Sequence, residues 1–112
     1  MKSGDIILAS LPQADGKTKL RPALVLKQML PYKDLLVCGI STQINQEVLG
    51  FDEIINANDI DFIESGLIQK SLIRVGYIAI IPVKIVAGSI GKISLNRLNK
   101  IKKRLSDFIL SE

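Results

Sequence analysis

The chain has no histidine, no tryptophan and a single cysteine, Cys38. Without histidine no Ser-His-Asp or Cys-His catalytic arrangement can form, and the usual proton shuttle at neutral pH is missing. One cysteine excludes an internal disulfide and a metal site built from the thiolates of one chain. Catalysis would have to use arginine, lysine, carboxylate, hydroxyl or thiol groups, and a metal ion would have to be held by carboxylates alone.

Long apolar runs are also missing. No stretch of about 18 uninterrupted apolar residues is present, and the first residues lead directly into a strand-like segment without the apolar core of a secretion signal. We therefore expect a cytoplasmic protein that makes no use of a membrane. At 112 residues the chain suits one domain with one core, spanning residues 1–112.

The hydrophobic residues, 47% of the chain, are mostly isoleucine, leucine and valine, which favour strands. The pattern predicts a turn at 31–34, one helical turn at 60–64, and a bend or short strand at 88–91. We expect the fourth strand to turn its acidic residues outward and the last to be the central strand of the sheet. The predicted strands are 5–10, 21–27, 35–41, 51–55 and 72–81.

A helix is predicted after Ser94, a suitable N-cap residue. Its apolar residues recur at steps of three and four and form one stripe, which should pack on the sheet while the basic residues point outward. Because the connections are too short for crossover helices, we expect a mainly β domain with a C-terminal helix, folded as a small, partly open barrel. The stripe consists of Leu95, Leu98, Ile101, Leu105, Phe108 and Ile109.

The net charge of +4 is concentrated at the C-terminus. Residues 94–112 contain five basic and two acidic residues, so the rest of the chain carries only +1. A basic face attracts phosphate, but a terminal helix with a solvated charged face is an ordinary structural outcome, and charge alone favours the second interpretation.

Arg21 and Pro22 stand where a polar loop, residues 13–19, meets an apolar strand. Proline stiffens the backbone there, and the arginine is always charged and can donate two parallel hydrogen bonds to a phosphate. A lone arginine at a strand edge is more often merely solvated, so the rest of the sequence must decide between these roles.

Several short motifs together resemble the PemK/MazF family of toxin endoribonucleases. They are Gly4-Asp5-Ile6-Ile7, Arg21-Pro22-Ala23-Leu24-Val25-Leu26, Ile40-Ser41-Thr42-Gln43, Ser65-Gly66-Leu67, Ser71-Leu72-Ile73-Arg74-Val75 and Ile90-Gly91-Lys92-Ile93-Ser94. Each motif is weak alone, but their order and spacing cover nearly the whole chain. The resemblance implies an SH3-like barrel of the PemK/MazF/CcdB type, a homodimer, metal-independent cleavage of single-stranded RNA, no cofactor, and inhibition by a cognate antitoxin.

The resemblance also assigns catalytic candidates. Arg21 falls on the family's catalytic arginine, and Ser41 falls where many members have a catalytic threonine, with Thr42 as the other candidate hydroxyl. Attack of a ribose 2′-hydroxyl on the adjacent phosphorus builds negative charge that a guanidinium stabilises. The expected products are a 2′,3′-cyclic phosphate and a 5′-hydroxyl.

Candidate substrate-binding residues carry structural alternatives. Lys17 and Lys19 can hold RNA phosphates or simply be solvated, and Arg74 can bind substrate or form an ion pair, either within the dimer or with Glu64. Gln43 can read a base edge or cap a loop.

Two further candidates concern charge and proton transfer. Asp5 can orient Arg21, although a purely structural role at the strand start is favoured. Lys70 could act as the missing base only with a lowered pKa. RNA sequence preference is expected to depend on residues 44–50 and 56–65.

A non-catalytic interpretation remains open beside the endoribonuclease one. The same barrel could bind an antitoxin or poison a protein target without cleaving RNA, and toxicity would then survive the loss of Arg21 and Ser41. A basic RNA-binding barrel without toxicity is disfavoured because aromatic residues for base stacking are scarce.

Overall fold

The structure, a computed structural model, describes residues 1–12 and 15–112. Strands alternate with short connections, and one long helix ends the chain. Two short 3-10 turns, Ile44–Gln46 and Val83–Ile85, lie between elements. The strands and helices are β1 (Asp5–Pro12), β2 (Thr18–Gln28), β3 (Leu35–Ser41), β4 (Glu53–Ile55), α1 (Phe62–Ser65), β5 (Ser71–Ile81), β6 (Val86–Lys92) and α2 (Leu95–Leu110).

All strands belong to one antiparallel sheet with the order β4-β5-β3-β2-β1-β6. The sheet curls, but β4 and β6 remain its two edges, so the barrel is open between them. Helix α2 packs on one face. The expected class, mainly β with a C-terminal helix and a partly open barrel, is confirmed. No helix in the described part of the chain is long and apolar enough to span a membrane.

Alternating side chains build a separate core on each face of the sheet. One core lies under α2 and receives Leu98 and Ile101 from the helix. The other lies on the opposite face of the sheet, with Ala23, Val25 and Val37 from the central strands. Both cores are aliphatic, as the composition predicted.

The structure corrects three details of the predicted strands. β5 is second from an edge and not central, because β3 and β2 occupy the middle of the sheet. β2 begins at Thr18, so Lys19 belongs to the strand, and Gln13 and Ala14 of the predicted loop lie outside the described residues. Of the predicted bend or short strand at 88–91, the strand forms, and it is longer than predicted, as β6.

A bulge divides β5 into two halves. Cys38 of β3 pairs with Ile78, but the next residue, Gly39, pairs with Arg74, so residues 75–77 have no counterparts on β3. The carboxylate of Asp52 accepts the backbone N–H of Val75 at 3.0 Å. A buried side chain thus supplies the acceptor that the ladder lacks at this point.

Helix α2 is fixed by ion pairs as well as by its apolar stripe. Ser94 caps it as predicted and accepts the N–H of Arg97 at 3.2 Å. The prediction that its basic residues point outward is wrong for two of them. Arg97 and Arg104 turn inward and bind Glu53 of β4 at 3.0 and 3.1 Å. The prediction that the acidic residues of the fourth strand point outward is also wrong. Glu53 is buried against Arg97 and Arg104, and Asp52 is buried with its carboxylate accepting backbone N–H groups.

Candidate active site

A groove of about 570 Å³ opens on the face of the sheet opposite α2, where residues of β2, β3 and β5 line it. Its floor is aliphatic, and polar side chains from several elements stand around it. The lining residues are Leu11, Arg21, Val37, Gly39, Ile40, Ser41, Gln43, Gln46, Arg74, Tyr77, Ile78 and Ala79.

Strand register explains why distant residues meet in this groove. Arg21 pairs with Ala9 of β1, and Arg74 pairs with Gly39 of β3. Since Ala23 also pairs with Gly39, the same register continued by two residues brings Arg21 opposite Ser41. Residues that face each other in an antiparallel sheet project from the same face. Arg21, Ser41 and Arg74 therefore share the face opposite α2, beyond the edge of its core.

Ser41 is the last residue of β3, and its hydroxyl oxygen accepts the backbone N–H of Gln43 at 3.0 Å. Because a hydroxyl can accept and donate at once, its proton can still be donated to a ligand oxygen. Gln43 also lines the groove, whereas the neighbouring Thr42 is exposed outside the lining. Of the two candidate hydroxyls, the structure brings Ser41 into the groove with Arg21.

Arg74 has a defined environment on the opposite side of the groove. Its Nη1 donates to the side-chain oxygen of Gln46 at 3.1 Å, and its guanidinium carbon lies 3.5 Å from the centre of the Tyr77 ring. Its Nε is buried and has no hydrogen-bond partner within residues 1–12 and 15–112. The alternative of an ion pair with Glu64 is not what forms, since Arg74 contacts Gln46 and Tyr77 instead.

The groove has a clear electrostatic character. Among the described residues of the lining, the charged ones are two arginines, Arg21 and Arg74, and none is a carboxylate. The buried acidic side chains nearest to β5 are engaged elsewhere: Asp52 accepts backbone N–H groups and Glu53 binds the arginines of α2. A groove with two cations and no anion suits a phosphate-bearing ligand.

The remaining candidates from the sequence lie outside the groove lining. Asp5 stands at the far end of β1 from Arg21 and accepts the backbone N–H of Lys2 at 2.9 Å, which fits the structural role at the strand start. Lys17 and Lys19 are exposed in and beside the β1–β2 hairpin. Lys70 is exposed before β5 and does not line the groove.

Two residues of the groove, Tyr77 and Gln46, were not predicted. Tyr77 sits in the β5 bulge, and no local pattern in an apolar strand signals a three-residue shift in pairing. Gln46 lies in the 3-10 turn after β3, inside the segment 44–50 that was expected to influence RNA preference. The only signal available for Tyr77 was the presence of an aromatic residue three positions after a candidate arginine.

A second, smaller cavity of about 430 Å³ lies beside α2 and surrounds Arg97. The N–H of Asn56, aided by Arg97, holds the pKa of Asp59 below its ordinary value. Burial works against the charge of Asp61, but hydrogen bonds from Arg97 and from the N–H of Ser94 outweigh it, so its pKa is also lowered. Arg97 and Ser94 of the helix start are bound to Glu53, Asp59 and Asp61 of this cavity, which attaches the helix to the sheet and loop. No cluster of three or more metal-ligating side chains occurs within the described ranges.

Comparison with known proteins adds to this geometry. Residues 2–109 match the model of the PemK-like, MazF-like toxins of type II toxin–antitoxin systems. The chain belongs to this family. Toxins of the PemK/MazF family are generally endoribonucleases.

The fold agrees with this membership. The solved structure of Mycobacterium tuberculosis toxin MazF-mt6 is similar to 96% of this chain over 99% of its own length, with a TM-score of 0.70. The sequence identity is 21%, so the likeness shows a shared fold. A search of curated protein sequences gave no match.

Proposed function

We propose that this PemK/MazF family member is the toxin of a type II toxin–antitoxin system and cleaves single-stranded RNA without a metal ion. The observation that carries the proposal is the pairing of Arg21 and Arg74 with Ser41 in one groove that has no carboxylate in its lining. Family membership supplies the reaction class, and the groove supplies groups suited to it.

The proposed reaction is a transesterification. The 2′-oxygen of a ribose attacks the adjacent phosphorus, the bond from phosphorus to the 5′-oxygen breaks, and a 2′,3′-cyclic phosphate and a 5′-hydroxyl result. Arg21 donates two hydrogen bonds to the phosphoryl oxygens as negative charge grows on them, and the Ser41 hydroxyl donates a hydrogen bond to a phosphate oxygen. Water takes the 2′-hydroxyl proton and returns one to the leaving oxygen, since the chain has no histidine.

The test is cleavage of a set of single-stranded RNAs of varied sequence, in EDTA, by the intact chain and by Arg21→Ala. We expect the variant to lose about 100-fold or more in kcat/KM, because one preorganised donor to developing charge contributes about 10²–10³-fold. Lys27→Ala is the matched control: Lys27 is exposed in the same strand but lies outside the groove lining, so its cleavage rate should match the intact chain.

Arg21→Lys separates geometry from charge. Lysine keeps the cation but cannot donate two parallel hydrogen bonds, so most of the loss should persist. Thermal unfolding of each variant shows whether the fold is retained. Equal cleavage by Arg21→Ala and the intact chain would disprove the catalytic role. Toxicity that survives loss of both Arg21 and Ser41 would support the non-catalytic alternative.

Partners follow from the same proposal. A toxin–antitoxin family implies an antitoxin, and an acidic, partly apolar segment would complement the two arginines and the aliphatic floor of the groove. Family members typically form dimers, and we propose a homodimer here too. We propose that the single-stranded RNA is messenger RNA, so the expected place of action is the cytoplasm.

A further inference from the structure

Tyr77 is an exposed aromatic residue held in the wall of the groove by two independent constraints. Its backbone lies in the β5 bulge. Two residues earlier in the same bulge, the N–H of Val75 is bound by the carboxylate of Asp52. Its ring lies against the guanidinium of Arg74, 3.5 Å from the ring centre. A side chain fixed at both its backbone and its ring has little conformational entropy left to lose on binding a ligand.

One face of the Tyr77 ring is covered by Arg74, and yet 62% of the residue is exposed. The exposure therefore comes from the opposite face and the ring edge. Ordinary packing does not explain such a surface, because a structural tyrosine buries its ring and hydrogen-bonds its hydroxyl. Tyr77 lines the same groove as Arg21 and Ser41.

The guanidinium behind the ring is itself held in place. Gln46 accepts a hydrogen bond from Arg74, and this contact defines the orientation of the amide because only its oxygen can accept. Arg74, Tyr77 and Gln46 thus form a preassembled wall, in which a cation backs an aromatic ring beside the proposed phosphate position. Such a wall suits a flat, uncharged ring that is attached next to a phosphate. The bases of a single-stranded nucleic acid are rings of this kind.

We propose that Tyr77 is a stacking platform for one base next to the scissile phosphate, with Arg74 as its rigid backing. The inference rests on the proposed function, since it takes the phosphate position from Arg21 and Ser41. It also adds a base-stacking residue to a sequence with few aromatic residues, where such residues were expected to be scarce.

The kinetic test compares Tyr77→Leu with Tyr77→Phe on RNA oligonucleotides that carry one abasic position on either side of the cleaved bond. For the intact chain, one abasic position should lower kcat/KM about ten-fold, within the range measured for loss of one stacked base. Tyr77→Leu should show the same loss on the complete RNA, mainly as a higher KM, and should be insensitive to that abasic position. Tyr77→Phe keeps the ring and should recover most of the loss. Equal kinetics for Tyr77→Leu and the intact chain would overturn the proposal.

The absence of tryptophan allows a direct optical test that needs no cleavage. The chain has two tyrosines, and Tyr32 is exposed in the turn between β2 and β3, outside the groove lining. Tyr32→Phe therefore leaves Tyr77 as the sole tyrosine fluorophore, and binding of a 2′-O-methyl RNA, which cannot be cleaved, should quench it. Tyr77→Phe leaves Tyr32 alone, and the same RNA should cause no quenching. Anisotropy of a dye on the RNA reports binding independently.

The outcomes separate this inference from the proposed function. If the Tyr77 variants cleave RNA as the intact chain does, or if RNA binds without quenching Tyr77 fluorescence, the stacking platform is overturned. The endoribonuclease proposal is unaffected by either result. Quenching of Tyr77 on binding, with no cleavage of unmodified RNA, supports the platform and overturns the endoribonuclease proposal. If the chain neither binds nor cleaves RNA, both proposals are overturned.

Discussion

At the scale of single residues, Asp52 shows how a buried carboxylate organises a site that it does not enter. One oxygen accepts the N–H of Val75 in the β5 bulge at 3.0 Å, and the other accepts the N–H of Val48 at 2.9 Å. Val48 follows the turn that carries Gln46, and Val75 follows Arg74 directly. Asp52 therefore connects the two segments whose side chains meet across the groove wall.

Asp52→Ala should be destabilising and should also impair the groove. The buried N–H of Val75 would lose its acceptor, which typically costs about 1–3 kcal/mol, and the partly buried N–H of Val48 would lose its acceptor at a smaller cost. Urea unfolding measures the stability, and the Tyr77 quenching assay on the folded variant measures whether the bulge still presents the ring. Asp107→Ala is the control, because that exposed carboxylate pairs only with Lys103 and should contribute less than about 1 kcal/mol. A stable variant with normal quenching would contradict the role of Asp52.

The residue scale also shows where prediction from sequence ends. The resemblance to the PemK/MazF family assigned Arg21 and Ser41 to one site, and the apolar runs that follow Arg21 and precede Ser41 can be recognised locally. Tyr77 could not be predicted, because its position depends on a bulge fixed by a carboxylate 23 residues away in sequence. Hydrophobic periodicity indicates which residues form a strand but not where its pairing shifts.

At the scale of elements, helix α2 combines an apolar stripe with an inward cation. The stripe was predicted correctly for Leu98 and Ile101, which are buried, whereas Phe108 and Ile109 near the end remain largely exposed. Arg97 was expected in solvent because a charged residue off the stripe normally points there. Its burial depends on Asp59, Asp61 and Glu53, which come from a loop and a strand about 40 residues earlier. Tertiary partners of that kind leave no mark in the helix sequence.

Arg97→Met should weaken the attachment of α2 strongly, by about 3–5 kcal/mol in the free energy of unfolding. The reason is that buried carboxylates would lose the cation that compensates them, while methionine fills similar space. Lys103→Met on the same helix is the matched control. Lys103 forms an exposed pair with Asp107 at 3.1 Å, so its loss should cost about 0.5 kcal/mol or less. Similar losses for the two variants, measured by chemical unfolding, would show that the Arg97 cluster adds no net stability.

At the scale of the whole molecule, ionisable groups are divided between the two faces of the sheet. The groove face carries arginines without carboxylates in its lining, and the helix face carries the paired acids together with the buried thiol of Cys38 beneath them. Burial, with a smaller contribution from the charge of Asp52, raises the pKa of Cys38 from 9.0 to about 12. The groups that couple folding to pH are therefore on the helix face, away from the proposed chemistry.

This division predicts that the free energy of unfolding falls both at acid pH and at alkaline pH. Different substitutions should alter the two losses separately. Asp59 and Asp61 have lowered pKa values in the folded chain, so the unfolded chain takes up protons first and stability falls as the pH drops below about 3.8. Cys38 has a raised pKa, so between pH 9 and about 12 the unfolded chain loses the thiol proton that the folded chain keeps. Stability should then fall as the pH rises, by up to about 1.4 kcal/mol per pH unit from this group.

Unfolding measured from pH 2 to pH 11 checks both sides. Cys38→Ala should remove the thiol contribution to the loss of stability above pH 9 and leave the acid side unchanged. Arg97→Met should flatten the dependence of stability on pH on the acid side and leave the alkaline side unchanged. Lysines and tyrosines also titrate at high pH, but they are the same in the intact chain and in Cys38→Ala, so the difference in slope isolates the thiol. An identical alkaline slope in those two proteins would mean that the unfolded chain keeps Cys38 as protonated as the folded core does. In that case burial in the core under α2 would not couple this thiol to folding.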